Sequence, residues 1–334
     1  MTLQVPFAPA APEIATEAIP HCPTCGGNRR TAFARGHDYE LETCRNEWQF
    51  WQCSACATVW LDPRPETSTL GVIYPASYYA YQMDKISPIA RKGKAMLDRL
   101  KFRSILAHTG APKSFLDIGC GDGRYLDFFA QHGIPKSRIY GLELSEEPIR
   151  LLRERGYQAF QRRVEECAEI ADGSIDLATM FHVIEHVADP LRVVQQIARW
   201  LSPNGCLVVE TPNIDSWDAR LFKDRWWGGY HFPRHWTLFQ ADSLARLMNA
   251  AGLEVVDVAY QTGHSFWMYS LHHLLRYGTR SAMAIAPLFD PVRSVIPLVM
   301  FTGFDISRRM AGFKTSSILM IVRRRVDPGR YATS

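Results

Sequence analysis

Between Ser114 and Gln261, short apolar runs alternate with amphipathic stretches, and most of the amphipathic stretches stop at a glycine. "SFLDIGC", "RIYGLELS", "IDLATMFHV" and "CLVVETPN" have the length and apolar content of buried strands. "GRYLDFFAQHG", "EEPIRLLRERG", "PLRVVQQIARWLSPNG" and "ADSLARLMNAAG" carry helical period. Pro148 in a first turn, Gly156 after a last turn and Asn204-Gly205 supply start and stop signals. A less defined strand is expected near 159–164, and "LEVVDVAYQ" and "SSILMIVRRR" add two late ones. This alternation predicts an α/β fold, a parallel sheet covered by helices on both faces. Ligands of such sheets bind beyond the C-terminal strand ends, where strand order reverses.

The first of those ends carries "FLDIGCGDGRYL", with Gly119, Gly121 and Gly123 at every second position. A phosphate loop would need Lys-Ser/Thr after the last glycine, and none follows. A dinucleotide fingerprint spaces its glycines G-x-G-x-x-G; here the spacing is one residue tighter. Glu143, in "GLELS" after the second strand, is placed to accept both hydroxyls of a ribose. A carboxylate there marks an adenosine-containing ligand, a dinucleotide or another kind.

"LDIGCGDG", "GLELS", "DGSIDLATMFHVIEHVADP" and "LSPNGCLVVETPN", in that order and spacing, resemble class I S-adenosylmethionine-dependent methyltransferases. The resemblance runs over roughly 114–261 and implies a Rossmann-like seven-stranded sheet, methyl transfer and S-adenosylmethionine as cofactor. It implies that Asp117, Gly119, Cys120, Gly121 and Gly123 meet the methionine part and that Glu143 and Leu144 meet the ribose. Val164, Glu165, Phe181 and His182 are expected around the adenine and the end of the fourth strand. Ubiquinone-pathway O-methyltransferases place a divalent metal at a Glu-x-x-Glu-His; this chain has His182 at the first position, followed by Glu185 and His186.

Cys22, Cys25, Cys53 and Cys56 form two C-x-x-C knuckles, the ligand set of a structural zinc. Cys44 stands apart from them, and Cys120, Cys167 and Cys206 have the apolar settings of reduced core thiols. Domains are expected at 1–20 (a disordered lead-in), 21–62 (a zinc-ribbon-like module), 63–112 (linker, with the aromatic connector "YPASYYAYQ", and helix) and 113–334 (the methyltransferase domain). The helix, "PIARKGKAMLDRLKFRSILAH", has Ile89, Met96, Leu97, Leu100 and Ile105 as its apolar side. Aromatics of the cysteine module (Trp48, Phe50, Trp51, Trp60) are expected to pack it on the catalytic domain. A four-cysteine module on such a methyltransferase resembles sugar C-methyltransferases of deoxysugar pathways. That likeness points to Tyr230, His231 and His235 in "WWGGYHFPRHWTLF" as catalytic candidates, with His186 as the alternative base.

The acceptor is expected to be a small molecule: a sugar, a sugar nucleotide or a lipid-linked intermediate, methylated at oxygen or carbon. The net charge of +4 and pI near 8.6 are mild, and the cysteine module has no Lys/Arg stripe, so no nucleic-acid partner is expected. The rival readings are a zinc-ribbon adaptor on a degenerate methyltransferase fold and a dinucleotide-dependent oxidoreductase. The start lacks the basic and apolar regions of a signal peptide, and "MAIAPLFDPVRSVIPLVMFTG" is broken by prolines and charges, so a cytoplasmic chain is expected. The insertion at about 265–314, rich in apolar residues and scattered arginines, is expected to cap the acceptor, pair two chains or touch a membrane surface.

Overall fold

The computed structural model describes residues 11–75, 88–278, 280–291 and 293–325, with side chains from 96 onward in the helix that begins at Pro88. Most of the aromatic connector, from 76 onward, lies outside the described residues. Seven strands build the main sheet: β1 (Phe115–Ile118), β2 (Ile139–Glu143), β3 (Gln158–Gln161), β4 (Ile175–Phe181), β5 (Leu201–Pro212), β6 (Leu253–Gln261) and β7 (Ser317–Arg324). Their order is β6-β7-β5-β4-β1-β2-β3, all parallel except β7, which runs antiparallel to both neighbours. This is the Rossmann-like methyltransferase sheet. The chain winds outward from β1 to β3 and then returns to lay β4 on the other side of β1. The crevice at that reversal lies over the ends of β1 and β4.

The strands are buried on both faces, which is why they read as continuous apolar runs. Val193, Val194, Ile197 and Trp200 turn one side of the helix Pro190–Trp200 into the core, and Asp189 caps it by accepting from the Arg192 amide. That helix ends at Trp200, earlier than the Asn204-Gly205 stop expected from sequence. Pro203 disfavours helical geometry at Ser202, so the chain passes directly into β5.

The helix Pro88–Thr109 has the expected span but a different buried face. Phe102 and Ile105 enter the core, whereas Met96, Leu97 and Leu100 are exposed. Its basic residues are not all solvated either: Lys101 reaches the Glu210 carboxylate at 2.6 Å.

The cysteine module is not a detached unit. Its strands Arg30–Gly36, Trp48–Cys53 and Val59–Leu61 form an antiparallel sheet whose fourth strand, Thr237–Leu238, comes from beyond β5. Trp48 and Phe50 share one core with Trp227, Tyr230, Phe232, Leu238 and Trp267. The lead-in is ordered from residue 11 onward. Ile14 exchanges two hydrogen bonds with the Asn46 side chain, and Thr16–Glu17 pairs with Arg64–Pro65. Enough local bonding is available there to offset the entropy that composition alone favours.

The strongest tie between the module and the rest is the buried pair Asp38–Arg234. Both guanidinium Nη atoms lie 2.9 Å from the carboxylate, and Nε donates to the Ile73 carbonyl at 2.8 Å. Burial pushes the Asp38 pKa up, but the charge and hydrogen bonds of Arg234 outweigh it and hold the carboxyl below its usual range. Removing one partner strands a charge in the core. Asp38→Ala should therefore destabilise the protein by about 3–5 kcal/mol. A thermal or urea midpoint within experimental error of wild type would contradict that.

Candidate active site

The glycine loop follows β1. Gly119, Gly121 and Gly123 all have positive φ (+75°, +51° and +81°), which L side chains rarely adopt. At two of them the space is also closed. A Cβ on Gly119 would lie 2.5 Å from a Val183 methyl, and one on Gly123 2.3 Å from Leu152. The loop is thereby held tight between the crevice and the helix Glu146–Glu154.

Glu143 ends β2 beside this loop. Its Oε1 accepts from the Leu144 and Ser145 amides (2.7 and 3.1 Å) and Oε2 from the Gly121 amide (3.3 Å). The carboxylate is locked in one orientation while remaining half-exposed. Asp117 sits below, buried, and accepts from Thr179 Oγ1 at 2.7 Å. Burial, helped by the charges of Glu143 and Asp122, raises its pKa to about 7 against the Thr179 bond and the charge of Arg124. The nearby cation, Arg124, is engaged by Asp98 at 3.4 Å. The loop is thus surrounded by carboxylates, a field that suits a cationic ligand and repels a pyrophosphate. Val164 is buried in a short 3-10 turn after β3, with Glu165 half-exposed beside it; Leu144 is exposed, and Phe181 half-buried.

The end of β4 carries a second cluster. His182 has φ +55°, unusual for a side chain of this size. Its Nδ1 is 3.3 Å from Glu185 Oε1 and its Nε2 3.6 Å from Glu210 Oε1. Burial opposes a charge on the ring, but hydrogen bonds to the two carboxylates prevail and raise its pKa to about 9, although water at its 44% exposed side chain screens the attraction. Glu210, at the end of β5, would be raised by burial but is held to about 2 by Lys101 and His182. Two cations and two carboxylates therefore form one balanced group across the crevice.

Behind it stand two neutral imidazoles. His186 Nδ1 donates to the Arg234 carbonyl at 2.9 Å and lies 3.1 Å from the Tyr74 hydroxyl. His235 Nδ1 donates to the Gly229 carbonyl at 2.8 Å. Each ring keeps its Nε2 lone pair as an acceptor. Burial pushes the His186 pKa down to about 4, and burial reinforced by His186 and His231 holds His235 well below the usual imidazole value. The two rings are 4.7 Å apart, and His235 Nε2 is 4.0 Å from Glu185 Oε1. One donor atom each of Glu185, His186 and His235 lies within 4.8 Å of the others. Such a set can receive a proton or hold a divalent cation.

The lid residues separate into two kinds. His231, at φ +41°, points Nδ1 at Glu40 Oε2 of the cysteine module, 2.7 Å away, with both side chains buried. Its ring is 5.0 Å from that of His235. Tyr230, expected beside the histidines, instead buries its ring against Phe50, Trp227 and Phe232, and its hydroxyl donates to the Lys223 carbonyl. Sequence reasoning missed Lys101, Glu210, Glu40 and Tyr74. Glu210 had a signal: a lone carboxylate in the apolar run "CLVVETPN". Glu40 and Tyr74 had none, because only the packing of the module brings them here.

The four paired cysteines converge as their spacing predicts. Cys22 and Cys56 Sγ are 3.5 Å apart, Cys25 and Cys53 Sγ 3.6 Å, and all four sulfurs lie within 4.8 Å. Tetrahedral zinc with Zn–S bonds near 2.3 Å requires sulfurs about 3.8 Å apart, so the set fits. Cys44 is buried in the shared core, apart from them.

Comparison with known proteins agrees with this geometry. A family model described as a methyltransferase domain matches residues 89–258. A probable S-adenosylmethionine-dependent methyltransferase of Mycolicibacterium smegmatis is 32% identical over 212 residues, 60% of this chain and 77% of that protein. A ubiquinone biosynthesis O-methyltransferase of Sodalis glossinidius is 31% identical over 125 residues, 35% of this chain; the chain spans about half of that protein's length (49%). Among solved structures, the 1,6-didemethyltoxoflavin-N1-methyltransferase of Burkholderia thailandensis, with 1,6-didemethyltoxoflavin and S-adenosylhomocysteine bound, covers 84% of this chain and 96% of its own at 16% identity and a TM-score of 0.47.

The state of Asp117 generates a test. Its folded pKa, about 7, lies well above the ordinary carboxyl value, so between those values the folded chain binds more protons than the unfolded one. Stability should fall as pH rises through that window. Asp117→Asn should melt close to wild type near pH 4 and clearly higher at pH 8. A gap that does not change with pH would show that Asp117 is ionised throughout.

Proposed function

The chain belongs to the methyltransferase-domain family, and from that premise we propose that it is an S-adenosylmethionine-dependent methyltransferase that methylates a small hydroxyl-bearing acceptor with His235 as proton acceptor. The observation that carries this is the commitment of His235 Nδ1 to the Gly229 carbonyl, which leaves Nε2 as a lone pair beside Glu185. Bound S-adenosylmethionine supplies an electrophilic methyl group on a sulfonium. Glu143 is assigned to the ribose hydroxyls, the Gly119–Gly123 backbone and Cys120 to close approach, and Asp117 to the amino end. Leu144 lies beside the ribose, Val164, Glu165 and Phe181 flank the adenine, and His182 closes the crevice.

The residues around the acceptor have little covalent work to do. They align a nucleophile and remove its proton. His235 takes that proton, and Glu185, 4.0 Å away, stabilises the imidazolium that results. His231 and Glu40 orient a polar part of the acceptor, while Tyr230 serves the lid by packing. The acceptor classes this site suits are a sugar, a sugar nucleotide or a lipid-linked intermediate. The relative named for O-methylation supports oxygen as the target. The same base serves an activated carbon, and NMR of the product separates the two. Glu185, His186 and His235 also support a second reading, in which a divalent cation binds the acceptor oxygen. Activity abolished by a chelator and restored by magnesium would favour it.

His235→Asn should lower turnover by about 10²–10⁴, leaving S-adenosylhomocysteine affinity near wild type. The acid limb of the wild-type rate should lie below the usual imidazole range, because burial keeps His235 neutral at pH 7. If His186→Asn or His231→Asn alone shows the loss, the base is that residue. If none does, catalysis is mainly alignment.

The cysteine module is proposed to hold one structural zinc on Cys22, Cys25, Cys53 and Cys56. Metal analysis should return about one zinc per chain. Cys53→Ser should lose it and melt lower, and Cys44→Ser should keep it. Purified protein without zinc, insensitive to chelation, would remove this role.

A further inference from the structure

The insertion after β6 contains the helices His264–His273 and Val295–Met310, joined by a π turn and a 3-10 stretch. The inner side of Val295–Met310 packs through Phe301 and Phe304 on Trp267, and the buried Asp305 accepts from the Gly263 amide and Trp267 Nε1. Its outer side is apolar. Val295, Ile296, Val299 and Met300 recur at the spacing of one helical face and are all exposed, Ile296 by 82%, and Phe304 lies at the edge between the two sides. Half of the exposed large apolar side chains among the described residues lie between Met283 and Phe313. Exposed Trp217 extends the patch, 5.9 Å from the Phe304 ring.

The rim of this face is cationic. Arg293 and Arg309 stand exposed at the two ends of the helix. Arg308, mostly buried and paired with Asp305 at 3.4 Å, lies over the Trp217 and Phe304 rings (5.4 and 5.6 Å). Within 291–314 the single acidic residue is Asp305, and it is fully buried. No helix among the described residues is long and apolar enough to cross a membrane. A face that is apolar in the middle, basic at its ends and edged by a tryptophan matches one environment: the headgroup boundary of an anionic bilayer.

We propose that the insertion docks the enzyme on anionic membrane surfaces, with the outer face of Val295–Met310 laid into the interface and Trp217 and the arginines at headgroup level. A second copy is the poorer occupant. Two-fold pairing would set like arginine rims against each other, because an isologous contact apposes the same patch. The proposal is independent of which acceptor is methylated.

Flotation of the full chain with vesicles tests it. The protein should float with equimolar phosphatidylglycerol–phosphatidylcholine vesicles and much less with phosphatidylcholine alone, and rising salt should weaken the association. Ile296→Asp with Val299→Asp should weaken it by about a hundredfold, from the loss of two buried aliphatic side chains. Both positions are exposed, so melting temperature and S-adenosylhomocysteine affinity should stay at wild-type values. Wild-type protein that floats with neither vesicle, or a double variant that floats as well as wild type, overturns the proposal. So does a wild-type dimer that the double substitution converts to monomer without any vesicle binding.

Discussion

The placement of the lid that carries His231 and His235 depends on one buried ion pair. Arg234 lies between His231 and His235 in sequence, and its guanidinium is bound by Asp38 at two points. Its backbone carbonyl receives His186 Nδ1–H. One residue thus joins the cysteine module, the lid and the end of β4. Such a pair adds little net stability over an apolar substitute, but it tolerates only one geometry. That property matters more here than stability, because three imidazoles within about one ring diameter of each other must keep fixed orientations.

The sheet was legible in the sequence because its strands are buried on both faces and its helices are closed by glycine and proline. Periodicity and punctuation are local signals, and they survive without knowledge of packing. The glycine loop was legible for a related reason, since positive φ and close approach leave few residue choices. The helix Pro88–Thr109 shows the limit: its span was correct, but the apolar stripe Met96, Leu97 and Leu100 is exposed while Phe102 and Ile105 are buried. A helix with apolar residues on more than one side does not disclose which side meets the sheet. The lid was half legible. Its histidines stood out by type, yet Tyr230 looked the same in sequence and turned out to be packed, with its hydroxyl engaged by a backbone carbonyl. The Glu40 partner of His231 lies nearly two hundred residues away in the chain, beyond any local pattern.

The two halves of the crevice use opposite electrostatics. Around the glycine loop carboxylates accumulate, and burial makes Asp117 reluctant to ionise until a cation arrives. Around the lid, burial makes histidines reluctant to protonate, so they remain bases at neutral pH. His182 stands between these regions and is the exception, kept charged by Glu185 and Glu210. A positive ring at that point offsets the carboxylates and adds to the effects that lower the pKa of His235.

This arrangement gives the cysteine module a part in positioning the lid histidines. The module's last strand, Val59–Leu61, pairs with Thr237–Leu238, two residues after His235, and the Leu61 amide bonds the Trp236 carbonyl at 2.9 Å. Its loop supplies Asp38 to Arg234 and Glu40 to His231. The four-cysteine end of this small sheet is therefore tied, through two strands, the Asp38–Arg234 ion pair and the Glu40–His231 contact, to the backbone from which His235 projects. A module of this size has too little core to hold such a register alone. The core it shares with Trp267 and with Trp227, Tyr230 and Phe232, on the same segment that carries the lid imidazoles, supplies what the module lacks.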